Sequence, residues 1–140
     1  MADLDTARRC AAAMLANDRS SQAMGIAIDI PEPGTAVATM VVREDMTNGF
    51  DVLHGGLTFA LADTAFAFAC NAYDQQSFAA SAQIDFLRPA MLRDELTATA
   101  TEDYRGRRSG YYSVEVRNQR DEVIALFRGR SASTGESCLK

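Results

Sequence analysis

A chain of 140 residues, 47% hydrophobic and 24% charged, is large enough for one domain with a real core. Its net charge of −5 and pI of about 4.8 provide no basic footprint for nucleic acid. Three cysteines, Cys10, Cys70 and Cys138, are too scattered for a zinc module, and their odd number argues against a disulfide framework.

No continuous apolar run marks a secretory signal near the N-terminus. Asp5 through Asn17, rich in Ala with Leu4, Cys10, Met14 and Leu15, predicts a first helix that Asp18-Arg19-Ser20-Ser21 ends. Met24 to Ile30 alternates as a strand does, Pro31-Glu32-Pro33-Gly34 is a turn by composition, and Thr35 to Val42 is the hairpin partner. Residues 43–53 form a polar loop with Asn48-Gly49 and room for one helical turn.

Gly56 to about Tyr73 is the long helix. Leu57, Leu61, Thr64 and Phe68 share one side; Phe59, Asp63, Phe66 and Cys70 share the other. Both sides are mostly apolar, so protein should surround this helix. It is too short for a membrane span and carries Asp63, so the expected setting is cytoplasmic, with no membrane partner. Cys70 on this helix reads as packing.

Four strands follow: Phe78 to Leu87, Glu95 to Tyr104, Gly110 to Asn118 and Val123 to Ser133. Arg105-Gly106-Arg107-Arg108 and Asn118-Gln119-Arg120-Asp121 are hairpin turns, and residues 134–140 read as a frayed tail. With no repeat or linker, residues 1–140 are expected to form a single α+β domain. One antiparallel sheet wraps one long central helix.

Asp63 is the only ionisable carboxylate between Gly55 and Cys70. A charge in such a run costs several kcal/mol of desolvation unless something local offsets it. The run opens on Gly55-Gly56 behind His54, the chain's only histidine. A helix start of this kind offers free backbone N–H donors that suit an oxyanion. Blander readings stand beside this one: an Asp63 held by a local hydroxyl or a neighbouring chain, a glycine pair that makes a tight helix entry, and a His54 that caps or orders the loop.

Other chemistries lack their residues. One histidine makes no His-rich metal site, and no acidic ligand spacing is present. Neither a nucleophile elbow, a Walker loop nor a dinucleotide fingerprint occurs. What remains is a carbonyl polarised by backbone N–H and an attack driven by Asp63. Asp63 lies eight residues beyond Gly55, roughly 12 Å along a helix axis, so one carbonyl cannot meet both in the same chain. Two antiparallel copies of the helix about a two-fold would pair them twice. A catalytic role for the pair therefore predicts a homo-oligomer with interfacial sites.

Asn48, His54-Gly55-Gly56, Leu61-Ala62-Asp63-Thr64-Ala65-Phe66-Ala67 and Ala69-Cys70-Asn71 together resemble the hotdog-fold acyl-CoA thioesterases, most of all the phenylacetate-degradation (PaaI-like) type. The resemblance runs from about residue 20 to 133 and includes Asp85-Phe86-Leu87-Arg88-Pro89 at the end of the third strand. It implies hydrolysis of an acyl-CoA thioester, on aryl or medium-chain substrates such as phenylacetyl-CoA derivatives, by a dimer or tetramer without a metal or redox cofactor. By position, Asp63 would be nucleophile or general base, the Gly55 N–H would polarise the carbonyl, Asn48 would orient water or carbonyl from the neighbouring subunit, and His54 would order the loop. Some relatives carry Glu at the Asp63 position and a hydroxyl four residues on, where this chain has Ala67.

Binding roles are weighed for Gly56, for Phe59 and Phe66 beside Asp63 in an acyl or aryl pocket, with plain core packing the favoured role of the two aromatics, and for Arg105, Arg107 and Arg108 toward the phosphates of CoA, with an ordinary solvated turn as the equal alternative. Two competitors share the architecture: an acyl-CoA hydratase or dehydratase, which would want a histidine at the reacting carbon, and a non-catalytic acyl-CoA-binding module.

Overall fold

The computed structural model describes residues 3–139. Helix α1 (Leu4–Asn17) starts at Asp3, whose side chain accepts the Thr6 N–H at 2.7 Å, a standard N-cap arrangement. Asp18 ends α1 and also starts a second helix, α2 (Arg19–Ala23): it accepts the Ser21 N–H at 3.0 Å and the Ser21 hydroxyl at 2.7 Å. The segment expected only as a stop therefore carries its own cap for a new turn. Strand β1 (Ala27–Glu32) runs through Pro31, so the turn to β2 (Thr35–Val41) shrinks to Pro33-Gly34. Proline is tolerated there because β1 lies at an edge of the sheet, where one row of N–H groups is unpaired.

A short 3₁₀ turn at Glu44–Met46 interrupts the loop before α3 (Gly55–Cys70). Then come β3 (Ser77–Phe86), β4 (Glu95–Arg105), β5 (Ser109–Arg117) and β6 (Val123–Ser133). All pairings are antiparallel, in the order β1-β2-β4-β5-β6-β3. Period-two alternation sends Ala36, Ala38 and Met40, then Leu96, Ala98 and Ala100, then Tyr112, Val114 and Val116 inward. These meet Leu61, Ala62, Ala65, Phe66 and Ala69 of α3, all buried. Facing alanines let helix and sheet approach closely. Gly129 shows how closely, since a Cβ there would stand 2.9 Å from the Phe66 ring.

Protein does not surround α3 on every side. Gly56, Ala60, Asp63, Thr64 and Ala67 form a strip that the sheet leaves partly open. β3, the second edge strand, is also largely uncovered, with Phe78 61% and Phe86 56% exposed. The expected fraying of the tail does not occur as far as residue 139. Gln76 donates to the Glu136 carbonyl at 2.8 Å, and Oδ1 of Asp74 accepts from the Ser137 hydroxyl and from the N–H groups of Cys138 (2.9 Å) and Leu139 (3.0 Å). Lys140 lies outside the described residues. This folding back brings Cys138 beside Cys10 and Asp74, so cysteines that are scattered in sequence are not scattered in space. No helix among the described residues is long and apolar enough to cross a membrane.

Candidate active site

The entry to α3 is pinned from three directions. The His54 N–H bonds to the Met46 carbonyl at 2.9 Å, the Leu53 N–H to the Ala90 carbonyl at 2.9 Å, and Val52 bridges to Met91. His54 is the N-cap, and its Nδ1 accepts the Gly56 N–H at 2.9 Å. Its carbonyl accepts from Leu57 and Thr58. Of the first helical donors, only the Gly55 N–H has no acceptor among the described residues. Gly56, expected to bind substrate, spends its donor on His54. The cap also leaves Nδ1 of His54 unavailable as a base.

Asn48 holds the loop before the helix. Its Oδ1 accepts from Phe50 at 2.9 Å and from Val52 at 3.4 Å, an Asx-type turn, while Asp51 takes a positive φ of 61°. The Asn48 Nδ2 has no acceptor among the described residues, so the outward-acting end of this amide is its donor.

An open groove of about 340 Å³ borders the free donor, lined by Leu53, Gly55, Thr58, Phe86, Leu87 and Pro89. A Cβ placed on Gly55 would lie 3.4 Å from Cζ of Phe86, so an aromatic edge stands directly beside the Gly55 backbone. Reasoning from sequence assigned no role to Phe86; its place at the end of β3, just before Leu87-Arg88-Pro89, was the available signal. Phe66, by contrast, is 1% exposed and packs on Tyr112 and Phe127 at 5.5 and 5.7 Å between centroids. Phe59 stands edge-on to Phe127 at 5.4 Å. The structure places both in or against the core, the packing role favoured for them over pocket lining.

Asp63 sits two turns further along α3 on the half-open strip. Burial pushes its carboxyl above the ordinary carboxylate range, and no opposing interaction restores it. It has no hydrogen-bond or ion-pair partner among the described residues. The adjacent hydroxyl of Thr64 donates instead to the Ala60 carbonyl at 2.7 Å, so the local-hydroxyl explanation of Asp63 lacks its hydroxyl. Because α3 is one continuous helix, Gly55 and Asp63 stay roughly 12 Å apart along its axis.

The Arg hairpin between β4 and β5 borders the other end of α3, beside Cys70 and Gln75. Arg105 is engaged there: its guanidinium stacks 3.8 Å from the Tyr73 ring centroid and donates to Gln75 Oε1 at 3.4 Å. Arg107 and Arg108 are exposed and form no ion pair among the described residues. A larger hollow, about 500 Å³, lies on the outer face of the sheet among Thr97, Thr99, Thr101, Ser113 and Glu115. These side chains point away from α3, and none of the groups above reaches it.

The Thioesterase superfamily profile matches residues 50–125 of the chain. The acyl-coenzyme A thioesterase PaaI of Escherichia coli K12 is 46% identical over 123 residues, which is 88% of each chain. A putative esterase of Archaeoglobus fulgidus is 34% identical over 116 residues, 83% of this chain and 75% of its own. Among solved structures, the E. coli PaaI protein from the phenylacetic acid degradation operon superposes with a TM-score of 0.93 at 44% identity, covering 95% of this chain and 96% of that one. A mutant of the phenylacetic acid degradation protein PaaI from Thermus thermophilus does so with a TM-score of 0.78 at 35% identity, covering 82% and 98%.

Proposed function

The chain belongs to the Thioesterase superfamily and is an acyl-CoA thioesterase with the hotdog fold, and from that premise we propose how its residues divide the reaction. The thioester carbonyl oxygen takes the Gly55 N–H, the donor that the helix entry leaves free. Asp63 of a second copy drives the attack, either by removing a proton from water or by adding to the carbonyl carbon itself. The oxyanion that forms is held by the backbone donor and the positive end of α3. When water is the nucleophile, collapse expels the CoA thiolate, which takes the proton, and leaves the free acid. When Asp63 is the nucleophile, collapse leaves an acyl–Asp63 anhydride, which water then cleaves to the free acid and the restored carboxylate, its proton going to the thiolate. Asn48 Nδ2 is the further donor for water or carbonyl.

The observation that carries this reading is the separation on one helix of a free donor and an unpaired, half-buried carboxylate. Antiparallel pairing of two α3 helices about a two-fold would bring them together. Two further features support such a dimer: the half-open strip Gly56-Ala60-Asp63-Thr64-Ala67, and the bare edge of β3. A ten-residue edge with exposed Phe78 and Phe86 invites pairing with another chain.

In that arrangement the ends of α3, roughly 24 Å apart, alternate between subunits. The subunit that contributes Asp63 also brings its Arg107 and Arg108 toward the partner's Gly55 groove, where they meet the CoA phosphates. The acyl group lies along the groove against Phe86, which suits aryl and medium-chain acyl groups, phenylacetyl derivatives included. The relatives named from phenylacetic acid degradation support the aryl choice. A CoA ester is an intracellular metabolite, which supports a cytoplasmic setting. A hydratase using His54 is disfavoured because the imidazole acceptor is already capping the helix.

Subunit mixing tests the reading. Asp63→Asn and Gly55→Pro homo-oligomers should each be nearly inactive in thiol release. Mixed and refolded together, they form hybrids in which one site has lost both groups and the other keeps Asp63 from one chain and Gly55 from its partner. Activity should return on mixing. Persistent inactivity in hybrids shown to form would sink the shared site.

A further inference from the structure

Cys10, Asp74 and Cys138 belong to three separate segments: the middle of α1, the turn after α3 and the C-terminal tail. Their two sulfurs and a carboxylate oxygen all lie within 4.8 Å of one another. We propose that these three side chains form a binding site for a soft divalent cation, zinc in the first instance, that staples α1 and the tail to the end of α3.

The donor set is of the right kind. Two sulfurs and one carboxylate match zinc, and thiolates select it over magnesium and calcium. Cys10 is fully buried, while Asp74 and Cys138 are only partly covered, so the cluster has a solvent side through which an ion can enter and a water can complete four-coordination. The surrounding shell is already oriented. All three tail hydrogen bonds to Asp74 fall on Oδ1, which fixes the carboxylate and leaves Oδ2 free of hydrogen bonds among the described residues. Supporting bonds of this kind orient metal ligands. Asn71 Oδ1, 3.4 Å from Cys138 Sγ, adds a neutral oxygen at the rim.

A divalent ion would bind two thiolates and one carboxylate, two protons would leave for solvent, and the net charge of the site would become −1. The nearby Arg9, which acts on Cys10 and Asp74, offsets that remaining charge. The site is independent of the thioester chemistry, so its test can fail without touching that reading.

The test is titration of the chelator-treated, reduced full-length protein with Co²⁺ and then Zn²⁺. The expected result is one cation per chain, a thiolate-to-cobalt charge-transfer band that zinc displaces, release of two protons per ion, and a higher melting temperature with metal. Cys138→Ser, on the tail, should fold and lose the band and the metal-induced shift; Cys10→Ser should do the same, and Cys70→Ala should keep both. A band retained in Cys138→Ser, an absent band, or a Cys10–Cys138 disulfide forming in air with no zinc bound would each overturn the site.

Discussion

Nδ1 of His54 accepts the Gly56 N–H at 2.9 Å, and this bond decides which amide of α3 stays free. Had the imidazole turned to Gly55, or been absent, the first turn would offer a diffuse set of donors. As it is, among the described residues the Gly55 N–H alone of the first-turn donors lacks an acceptor, and it borders the Phe86 groove.

Gly55 occupies the first helical position, where proline is well tolerated because its missing N–H has no helical acceptor to lose. His54, at φ −59° and ψ 131°, already has the extended backbone that a following proline requires. Gly55→Pro should therefore fold and oligomerise yet lose about 10²–10³-fold in kcat, the loss typical of one oxyanion donor. Gly55→Ala, whose Cβ would make ordinary contact with Phe86, should keep most activity. Equal activity in the two variants would remove the donor role.

His54 separates by substitution into cap and base. His54→Ala should lower stability by about 1 kcal/mol, while His54→Asn, itself a good cap, should lose only a few tenths. Turnover should follow the cap and survive in His54→Asn. Chemical denaturation and thiol release measured on both variants check this.

Asp63 carries opposing demands of activity and stability. Asp63→Asn should reduce turnover by about 10²–10⁴-fold. Burial raises the folded carboxyl above its ordinary 3.8, so the folded state bears no penalty below that pH and loses stability as pH rises through the folded value. Asp63→Asn should thus melt higher than the parent at neutral pH, and the gap should close below about pH 3.8. The acid limb of kcat/KM should lie above the same value. A variant less stable than the parent at neutral pH would mean that Asp63 has a stabilising partner.

Phe86→Ala removes the aromatic edge beside Gly55. KM for aryl-CoA substrates should rise roughly 2–10-fold, the worth of an aromatic contact, with little change for acetyl-CoA. A uniform change across substrates would place the acyl group elsewhere.

Gly129→Ala probes the packing that fixes α3. The added methyl would meet the Phe66 ring at 2.9 Å, and overpacking of this kind typically costs about 1–3 kcal/mol. The denaturation midpoint should fall accordingly, while the activity of the remaining folded protein should persist.

Much of the architecture was legible from local pattern. Alternation in Leu96-Thr97-Ala98-Thr99-Ala100 and in Tyr112-Ser113-Val114-Glu115-Val116 reports which face is buried, and those faces are the ones turned to α3. Asp18 shows the limit, because one residue can stop a helix and start the next with the same side chain. The pair Gly55 and Asp63 was likewise visible as chemistry, since a lone carboxylate and a glycine pair contradict the apolar run around them.

Nearest-neighbour pattern could not reach what depends on contacts distant in sequence. Phe66 lies in an apolar run and Phe86 at the end of a strand before Leu87-Arg88-Pro89, but no local pattern places the first under Gly129 or the second beside Gly55. The convergence of Cys10 with Cys138 is likewise invisible along the chain. Periodicity, capping groups and the cost of an isolated charge act within a few residues, so the sequence by itself determined the elements, their buried faces and the acid worth testing. Which aromatic faces the groove and which cysteines meet were decided only by tertiary packing, because each depends on how segments distant in the chain fill the same space.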